Sequence, residues 1–133
     1  MVLLDTHILL WLTAEPERLG PETLKRLRES KSSSEFSLSA ISFWEIEMLI
    51  NHRRYELFMS TTELLRACSQ QGMRIQSITG EIGIRAAQLT TLHKDPADRI
   101  IVATALHHRL PLLTSDRKIL NWDGELDVID ARA

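Results

Sequence analysis

The chain has 133 residues, of which 44% are hydrophobic and 26% are charged. This length and composition are typical of a globular domain with its own core, so we expect residues 1–133 to form a single domain. The formal net charge of −2 argues against a general polyanion-binding protein, and the single cysteine excludes an internal disulfide and a cysteine-based zinc site.

The sequence carries no sign of export or membrane insertion. It begins without the basic segment that opens a signal peptide, and its longest apolar stretches are too short to cross a bilayer. One cysteine also fits a reducing compartment. We therefore expect a cytoplasmic protein with no membrane association.

Short apolar strands alternate with helical segments along the chain. The predicted strands cover residues 2–4, 36–39, 74–78, 110–114 and 127–130. The predicted helices cover residues 6–14, 22–31, 40–53, 61–71, 79–92 and 99–108, with a polar break at 32–34 and a short helix beginning at Asp116. Such alternation indicates βαβ units, and therefore an α/β fold with a central, mostly parallel sheet covered by helices on both faces.

Two acids follow the two most apolar strands. Asp5 comes directly after Val2-Leu3-Leu4, and Asp116 follows Leu112-Leu113-Thr114 after one residue. Parallel strands end at the same edge of a sheet, about 5 Å from their neighbours, and ligands bind beyond that edge. Asp5 is equally well placed to cap the helix that follows it, so a cap and a metal ligand are both open for this residue.

Asp98 lies in the first turn of the helix that leads to the second of these strands. Its neighbours one and two turns further along the same helical face are apolar, namely Ile101, Val102 and Ala105. This spacing predicts a carboxylate close to the core. The alternative is an ordinary helix start, with Asp95 as the N-cap and a proline in the first helical position.

Glu45 is a candidate for a buried acid. Helical periodicity places it on an arc with the apolar residues Ile41, Met48 and Leu49, but prefers it only mildly over Glu47. A buried carboxylate is unfavourable unless it is paired or bound to a cation. Pairing with an arginine or lysine and binding to a metal are therefore both open for it.

Carboxylates that converge without an equal number of cations repel one another and raise one another's pKa. A hard divalent cation relieves this repulsion, and Mg²⁺, with Mn²⁺ as a possible substitute, prefers oxygen ligands. Such an ion activates a water and stabilises in-line displacement at a phosphodiester. This is the chemistry of a metal-dependent nuclease, and Asp5, Glu45, Asp98 and Asp116 are the candidate acids for such a site.

Four segments, in this order and spacing, resemble the PIN-domain ribonucleases, and specifically the VapC-type toxins of toxin–antitoxin pairs. They are LDTH at residues 4–7, SAISFWEI at 39–46, HKDPADRIIVA at 93–103 and LTSD at 113–116. The resemblance covers nearly the whole chain. It implies a PIN-like three-layer α/β/α sandwich, Mg²⁺-dependent endonucleolytic cleavage of RNA, homodimerisation and inhibition by a cognate VapB-like antitoxin.

The resemblance also implies which residues act. The catalytic acids of the family correspond here to Asp5, Glu45, Asp98 and Asp116. We therefore expect Asp5, Asp98 and Asp116 to bind the metal directly or through water, and Glu45 to complete the shell or orient the attacking water. Thr114 matches the polar residue just before the last acid. The match selects Glu45 rather than Glu47, a choice that periodicity leaves open.

Two departures from the family pattern lie outside the acids. Ala97 stands where similar members usually have phenylalanine. After the third helix, similar members usually have a tight turn that contains lysine and glycine, whereas residues 51–55 of this chain contain neither.

A non-catalytic PIN-like module that only binds RNA or protein is the main alternative function, and the loss of an acid would indicate it. A receiver-like phosphoacceptor expects an adjacent acid pair after the first strand, and a haloacid-dehalogenase-type phosphatase expects an acid where His7 stands.

Several histidine, tryptophan and arginine side chains near the acids in the sequence are not expected to bind the metal. His7 is predicted to be a half-buried histidine rather than a ligand, because imidazole suits softer metals than Mg²⁺. Trp11 and Trp44 are assigned to the core, with a dimer or antitoxin surface as the alternative. For Arg99 and Arg117, beside the acids, contact with RNA phosphate and orientation of a carboxylate are both open.

Overall fold

The structure is a computed structural model that describes residues 1–30 and 35–133. Its strands are β1 (Val2–Leu4), β2 (Phe36–Ser39), β3 (Arg74–Gln76), β4 (Leu112–Thr114) and β5 (Val128–Asp130). Its helices are α1 (Thr6–Ala14), α2 (Pro21–Glu29), α3 (Ala40–Asn51), α4 (Thr61–Gln70), α5 (Gly80–Gln88), α6 (Pro96–His108) and α7 (Arg117–Leu120), with a 3₁₀ turn at Pro16–Arg18. The predicted helix end at residue 31 and the polar break at 32–34 lie outside the described residues.

The described strands form one parallel sheet in the order β3-β2-β1-β4-β5. Leu4 of β1 is in register with Leu38 of β2 on one side and with Leu113 of β4 on the other. The predicted mostly parallel sheet is confirmed, and all of its strand pairs are parallel. Because β1 is central, the residues that follow β2, β1 and β4 reach the same edge of the sheet.

Helices cover both faces of the sheet. Successive side chains of a strand point to opposite faces, and the buried residues Leu3 and Leu4 lie in two different apolar clusters. Leu4 packs in the cluster that contains Ile8 of α1 and Ile46 of α3, whereas Leu3 packs in the cluster with Ile101 of α6. The three-layer α/β/α sandwich is therefore confirmed.

Several helices differ from the predicted limits at their ends. α6 begins at Pro96 rather than at residue 99, because Asp95 caps it through a hydrogen bond from the backbone N–H of Asp98 to Oδ1 at 3.1 Å. α5 ends at Gln88 rather than at residue 92, and α3 ends at Asn51 rather than at residue 53. The longest described helix, α6, has 13 residues, and none of the described helices is both long and apolar enough to cross a bilayer.

Three strands are shorter than predicted. β3 stops at Gln76 rather than at residue 78, because its last partner is Ser39 and the chain turns into α3 at Ala40. β4 begins at Leu112 rather than at residue 110, and β5 begins at Val128 rather than at residue 127. For β3, the end of the partner strand thus sets the length of the strand.

Two of the predicted burials are wrong. Trp44 is 54% exposed, because α3 turns the opposite side, with Ile46, toward the core. His7 is exposed rather than half-buried. Trp11 is partly buried and packs against the same cluster as Leu4, as predicted.

The last residues of the chain pack against the start of α2. The backbone N–H of Gly20 donates to the carbonyl of Ala131 at 2.9 Å, and that of Thr23 donates to the carbonyl of Ala133 at 3.1 Å. These bonds satisfy amides that a helix N-terminus leaves free. A Cβ atom at position 20 would collide with the backbone of Ala133, so this close approach requires glycine.

We expect Gly20→Ala to lower the free energy of unfolding by about 1–3 kcal/mol, because the added methyl group must displace backbone. The matched control is Gly83→Ala in α5, where an added Cβ meets nothing within 4 Å. It should raise the free energy of unfolding by about 0.5–1 kcal/mol through helix propensity. Urea denaturation measures both, and a Gly20→Ala protein as stable as the parent would contradict the packing described for residues 131–133.

Candidate metal centre

Four acids reach one region from four segments of the chain. Asp5 follows β1, and Asp116 lies beyond β4. Glu45 lies on α3, which follows β2 directly, and Asp98 lies in the first turn of α6. Because β2, β1 and β4 are neighbours, three of these segments begin at adjacent strand ends. The sheet thus places three of the predicted acids at the same edge, and the first turn of α6 adds Asp98.

Asp5 caps α1 and also faces the cluster. It is 4% exposed, its Oδ1 accepts a hydrogen bond from the backbone N–H of Thr6 at 2.8 Å, and its Oδ2 accepts one from Oγ1 of Thr114 at 2.7 Å. The cap, one of the two roles left open for Asp5, is therefore confirmed. Burial raises the pKa of Asp5, and the hydrogen bonds from Thr114 and Thr6 oppose that rise. Each carboxylate oxygen keeps a further lone pair, so the cap does not prevent metal binding.

Thr114 connects Asp5 to Asp116. Its Oγ1 donates to Asp5 and accepts a hydrogen bond from the backbone N–H of Asp116 at 3.1 Å. Asp116 in turn caps α7, because its Oδ1 accepts from the backbone N–H of Lys118 at 2.9 Å. These bonds fix the distance between two acids that come from neighbouring strands.

His93 lies between Asp98 and Asp116. Its Nε2 is 3.2 Å from Oδ2 of Asp98 and 3.5 Å from Oδ2 of Asp116, and the three donor atoms lie within 4.8 Å of one another. Nε2 is buried and satisfies the geometry of a hydrogen bond with neither oxygen. Sequence reasoning gave His93 no role. The available signal was its place in the HKDPADRIIVA segment, in the loop that leads into α6.

Asp98 is shared with a second group of donors, which contains Glu45 and Asp95. One ligand atom from each of the three lies within 4.8 Å of the others. Glu45 is partly buried whereas Glu47 is exposed, so the preference for Glu45 as the buried acid is confirmed. Sequence reasoning treated Asp95 only as a cap, and the structure adds it to the cluster. Among the described residues, Asp5 belongs to neither group.

The acids disfavour one another's charged forms. Burial raises the pKa of Asp98 to about 9, and the negative charge of Asp5 is the next largest cause. Burial also raises the pKa of Glu45, and the charge of Asp5 adds to the increase. Within residues 1–30 and 35–133, no lysine or arginine lies within 4.0 Å of Asp5, Glu45, Asp98 or Asp116 as an ion-pair partner. The arginine or lysine pairing considered for Glu45 is therefore not found there.

The donor set fits a divalent cation. Oε1 of Glu45 and Nε2 of His93 are both buried without a hydrogen-bond partner, which is unfavourable unless another group binds them. Glu45 and His93 belong to the two different donor groups, so a cation bound in either group would satisfy the unpaired atom there and offset the repulsion among the carboxylates. Carboxylate oxygens are ligands that Mg²⁺ and Mn²⁺ prefer.

Arg99 holds the loop before α6. Its Nε donates to the carbonyl of His93 at 2.9 Å, and an Nη2 hydrogen donates to the carbonyl of Leu92 at 3.0 Å. The guanidinium therefore orders the backbone beside the acids, a role that sequence reasoning did not consider. Arg117 is exposed on the first turn of α7.

The chain is similar to known proteins over nearly its full length. It matches the protein family described as PIN domain over residues 2–125, a range that contains all four acids. It is 33% identical over 119 residues to Ribonuclease VapC22 of Mycobacterium tuberculosis, which covers 89% of this chain and 88% of that protein.

Solved structures show the same fold. A toxin–antitoxin complex from Klebsiella pneumoniae superimposes with a TM-score of 0.69 at 25% identity, over 98% of both chains. VapBC2 from Rickettsia felis, bound to a DNA fragment from its promoter, superimposes with a TM-score of 0.71 at 14% identity, also over 98% of both chains. At this identity the second likeness is one of fold alone.

Thr114→Val should lower the free energy of unfolding by about 1–3 kcal/mol, because it keeps the side-chain shape but leaves a buried oxygen of Asp5 and the N–H of Asp116 without their partner. Thr114→Ser keeps the hydroxyl and should retain most of the stability. Chemical denaturation at neutral pH compares the two. Equal stability of the valine variant and the parent would show that Thr114 does not hold the two acids.

The raised pKa of Asp98 predicts an unusual pH dependence of stability in metal-free protein. The folded state holds the Asp98 proton up to a pKa of about 9, whereas the ordinary value is 3.8. Folding therefore takes up a proton between these values, and the free energy of unfolding falls as the pH rises through this window. In Asp98→Asn this contribution is absent, so the variant should gain stability relative to the parent as the pH rises from about 4 toward 9.

Denaturation in EDTA across this pH range measures the difference between parent and variant. The control is Asp123→Asn, which removes an exposed acid and should leave the parent's pH dependence unchanged. A difference between parent and Asp98→Asn that is constant from pH 4 to 9 would contradict the buried, repelled carboxyl group.

Proposed function

The chain belongs to the PIN-domain family, and from this premise we propose that it is a VapC-type toxin, an endoribonuclease that depends on a divalent cation. The observation that carries the proposal is the convergence of Asp5, Glu45, Asp98 and Asp116 at one sheet edge, where no arginine or lysine of the described residues pairs with them. The similarity to Ribonuclease VapC22 supports RNA as the substrate.

The acids have distinct positions in the proposed site. Asp98 is the shared member of both donor groups and is the central ligand of the cation. Asp116 and Asp5 are the other ligands, directly or through water, and Thr114 sets their separation. Glu45 completes the shell or orients the attacking water, and its buried Oε1 is free to accept a hydrogen bond from that water.

Mg²⁺, or Mn²⁺ as a substitute, would activate a water and stabilise the negative charge that develops at the scissile phosphodiester. The raised pKa of Asp98 and Glu45 describes the metal-free protein. A nearby positive charge lowers carboxyl pKa values, so these groups are carboxylates when the cation is present.

The proposal includes partners for the toxin. A cognate VapB-like antitoxin inhibits it and the chain forms a homodimer, both in the cytoplasm. The structural similarity to toxin–antitoxin complexes supports an antitoxin. Trp44, whose side chain is 54% exposed, is available for contact with a partner protein, where aromatic residues are enriched.

RNA cleavage by the purified chain tests the proposal. With Mg²⁺ or Mn²⁺ the parent should cleave structured RNA containing single-stranded loops, and EDTA should abolish cleavage. Asp98→Asn and Glu45→Gln should each lower the rate by about a hundredfold or more, since the cation and its shell contribute several kcal/mol to transition-state stabilisation. Gel analysis of end-labelled RNA measures the rates.

The matched control is Glu47→Gln, which removes an exposed acid from the same helix and should cleave at the parent's rate. Cleavage at the full rate in EDTA, or by Asp98→Asn, would contradict the metal-dependent mechanism. A parent protein that binds RNA but cleaves none with either cation would instead indicate the non-catalytic PIN-like module.

A further inference from the structure

We propose that His93 is a direct ligand of the bound cation through Nε2, and that this nitrogen makes the centre select Mn²⁺ over Mg²⁺. The inference rests on the proposed function, because it concerns the same centre. It adds a residue that the acidic residues alone do not suggest, and it assigns a metal preference to that residue.

The distances from Nε2 of His93 to the two carboxylates are those expected between ligands on one ion. Two donors that each lie about 2.0–2.2 Å from a metal stand roughly 3.0–3.5 Å apart, depending on whether their angle is octahedral or tetrahedral. Nε2 of His93 lies 3.2 Å from Oδ2 of Asp98 and 3.5 Å from Oδ2 of Asp116. Little movement is needed for these atoms to share an ion.

The imidazole nitrogen has no other partner. Nε2 is buried and makes no hydrogen bond, and only 18% of the His93 side chain is exposed. A histidine that served only to pair with the acids would be expected to align a hydrogen bond with one of them. Here the nitrogen faces two oxygens and is aligned with neither, which suits a bound ion between them.

The loop that carries His93 is fixed from both sides. Arg99 donates hydrogen bonds to the carbonyls of His93 and Leu92, and the Leu92 side chain is 4% exposed within the apolar cluster that contains Leu3. A ligand held in this way loses little conformational freedom when it binds. Arg99 is thus a positioning residue for the imidazole.

The chemistry of the donor set then determines the metal preference. Mn²⁺ shares with Mg²⁺ a preference for oxygen ligands, but as a transition-metal ion it accepts an imidazole nitrogen more readily than Mg²⁺ does. The neighbouring group of Glu45, Asp95 and Asp98 offers oxygen alone. Removal of His93 should therefore weaken Mn²⁺ binding much more than Mg²⁺ binding.

Pulsed electron paramagnetic resonance of the full chain loaded with Mn²⁺ detects a bound nitrogen directly. We expect a ¹⁴N coupling in the parent that changes to a ¹⁵N coupling when the protein is labelled with ¹⁵N-histidine. The coupling should disappear in His93→Gln and persist in His7→Gln, which removes the exposed histidine next to Asp5. Titration calorimetry with Mn²⁺ and Mg²⁺ accompanies the spectra.

His93→Gln should weaken Mn²⁺ binding by at least about tenfold, the loss that even a supporting residue of a metal site can cause, and Mg²⁺ binding by less than about threefold. His108→Gln, at an exposed position at the end of α6, should change neither affinity. If His93→Gln does not fold, the isotope experiment on the parent shows whether a histidine binds the ion, and a coupling that persists when each of the four other histidines is replaced assigns it to His93.

The outcomes separate this inference from the proposed function. Bound Mn²⁺ without histidine coupling, or an unchanged ratio of Mn²⁺ to Mg²⁺ affinity in His93→Gln, overturns the role of His93 while metal-dependent cleavage stands. A parent protein that binds neither cation overturns both. If the coupling disappears in His7→Gln instead, the ligand is His7, and the inference about His93 is overturned.

Discussion

Repulsion among buried carboxylates is the constraint on which the rest of this structure depends. Asp5, Glu45 and Asp98 are brought together against the preference of each for water, and the pKa of each is raised. A fold that merely maximised stability would separate them or supply an arginine. If a cation completes the centre, the cluster lowers the stability of the metal-free chain, and binding of the cation restores that stability.

The parallel sheet withstands this repulsion because it is anchored on both faces. Leu3 and Leu4 of the central strand each lie in an apolar cluster, so Asp5 follows a segment that cannot move easily. Asp5, Asp95 and Asp116 each use one carboxylate oxygen to cap a helix. The caps fix the orientation of the carboxylates, and each carboxylate keeps lone pairs that a ligand could use, so the same residues can serve both the fold and the proposed centre.

Much of the fold could be predicted because it follows from local pattern. The alternation of apolar strands and helices indicates a parallel sheet, and the acids after the strands indicate an edge site. What could not be predicted depends on tertiary contacts. The exposure of Trp44 depends on which side of α3 meets the sheet, and the place of His93 depends on how Arg99 folds the preceding loop. Neither leaves a periodic signal in the sequence.

The central claim is that the acidic edge of the sheet is a cation site, and anomalous diffraction at the manganese edge from crystals grown with Mn²⁺ tests it most directly. We predict an anomalous peak within about 2.5 Å of a carboxylate oxygen of Asp98 and of Asp116. Ordered carboxylates at saturating Mn²⁺ with no anomalous peak between them would contradict the claim.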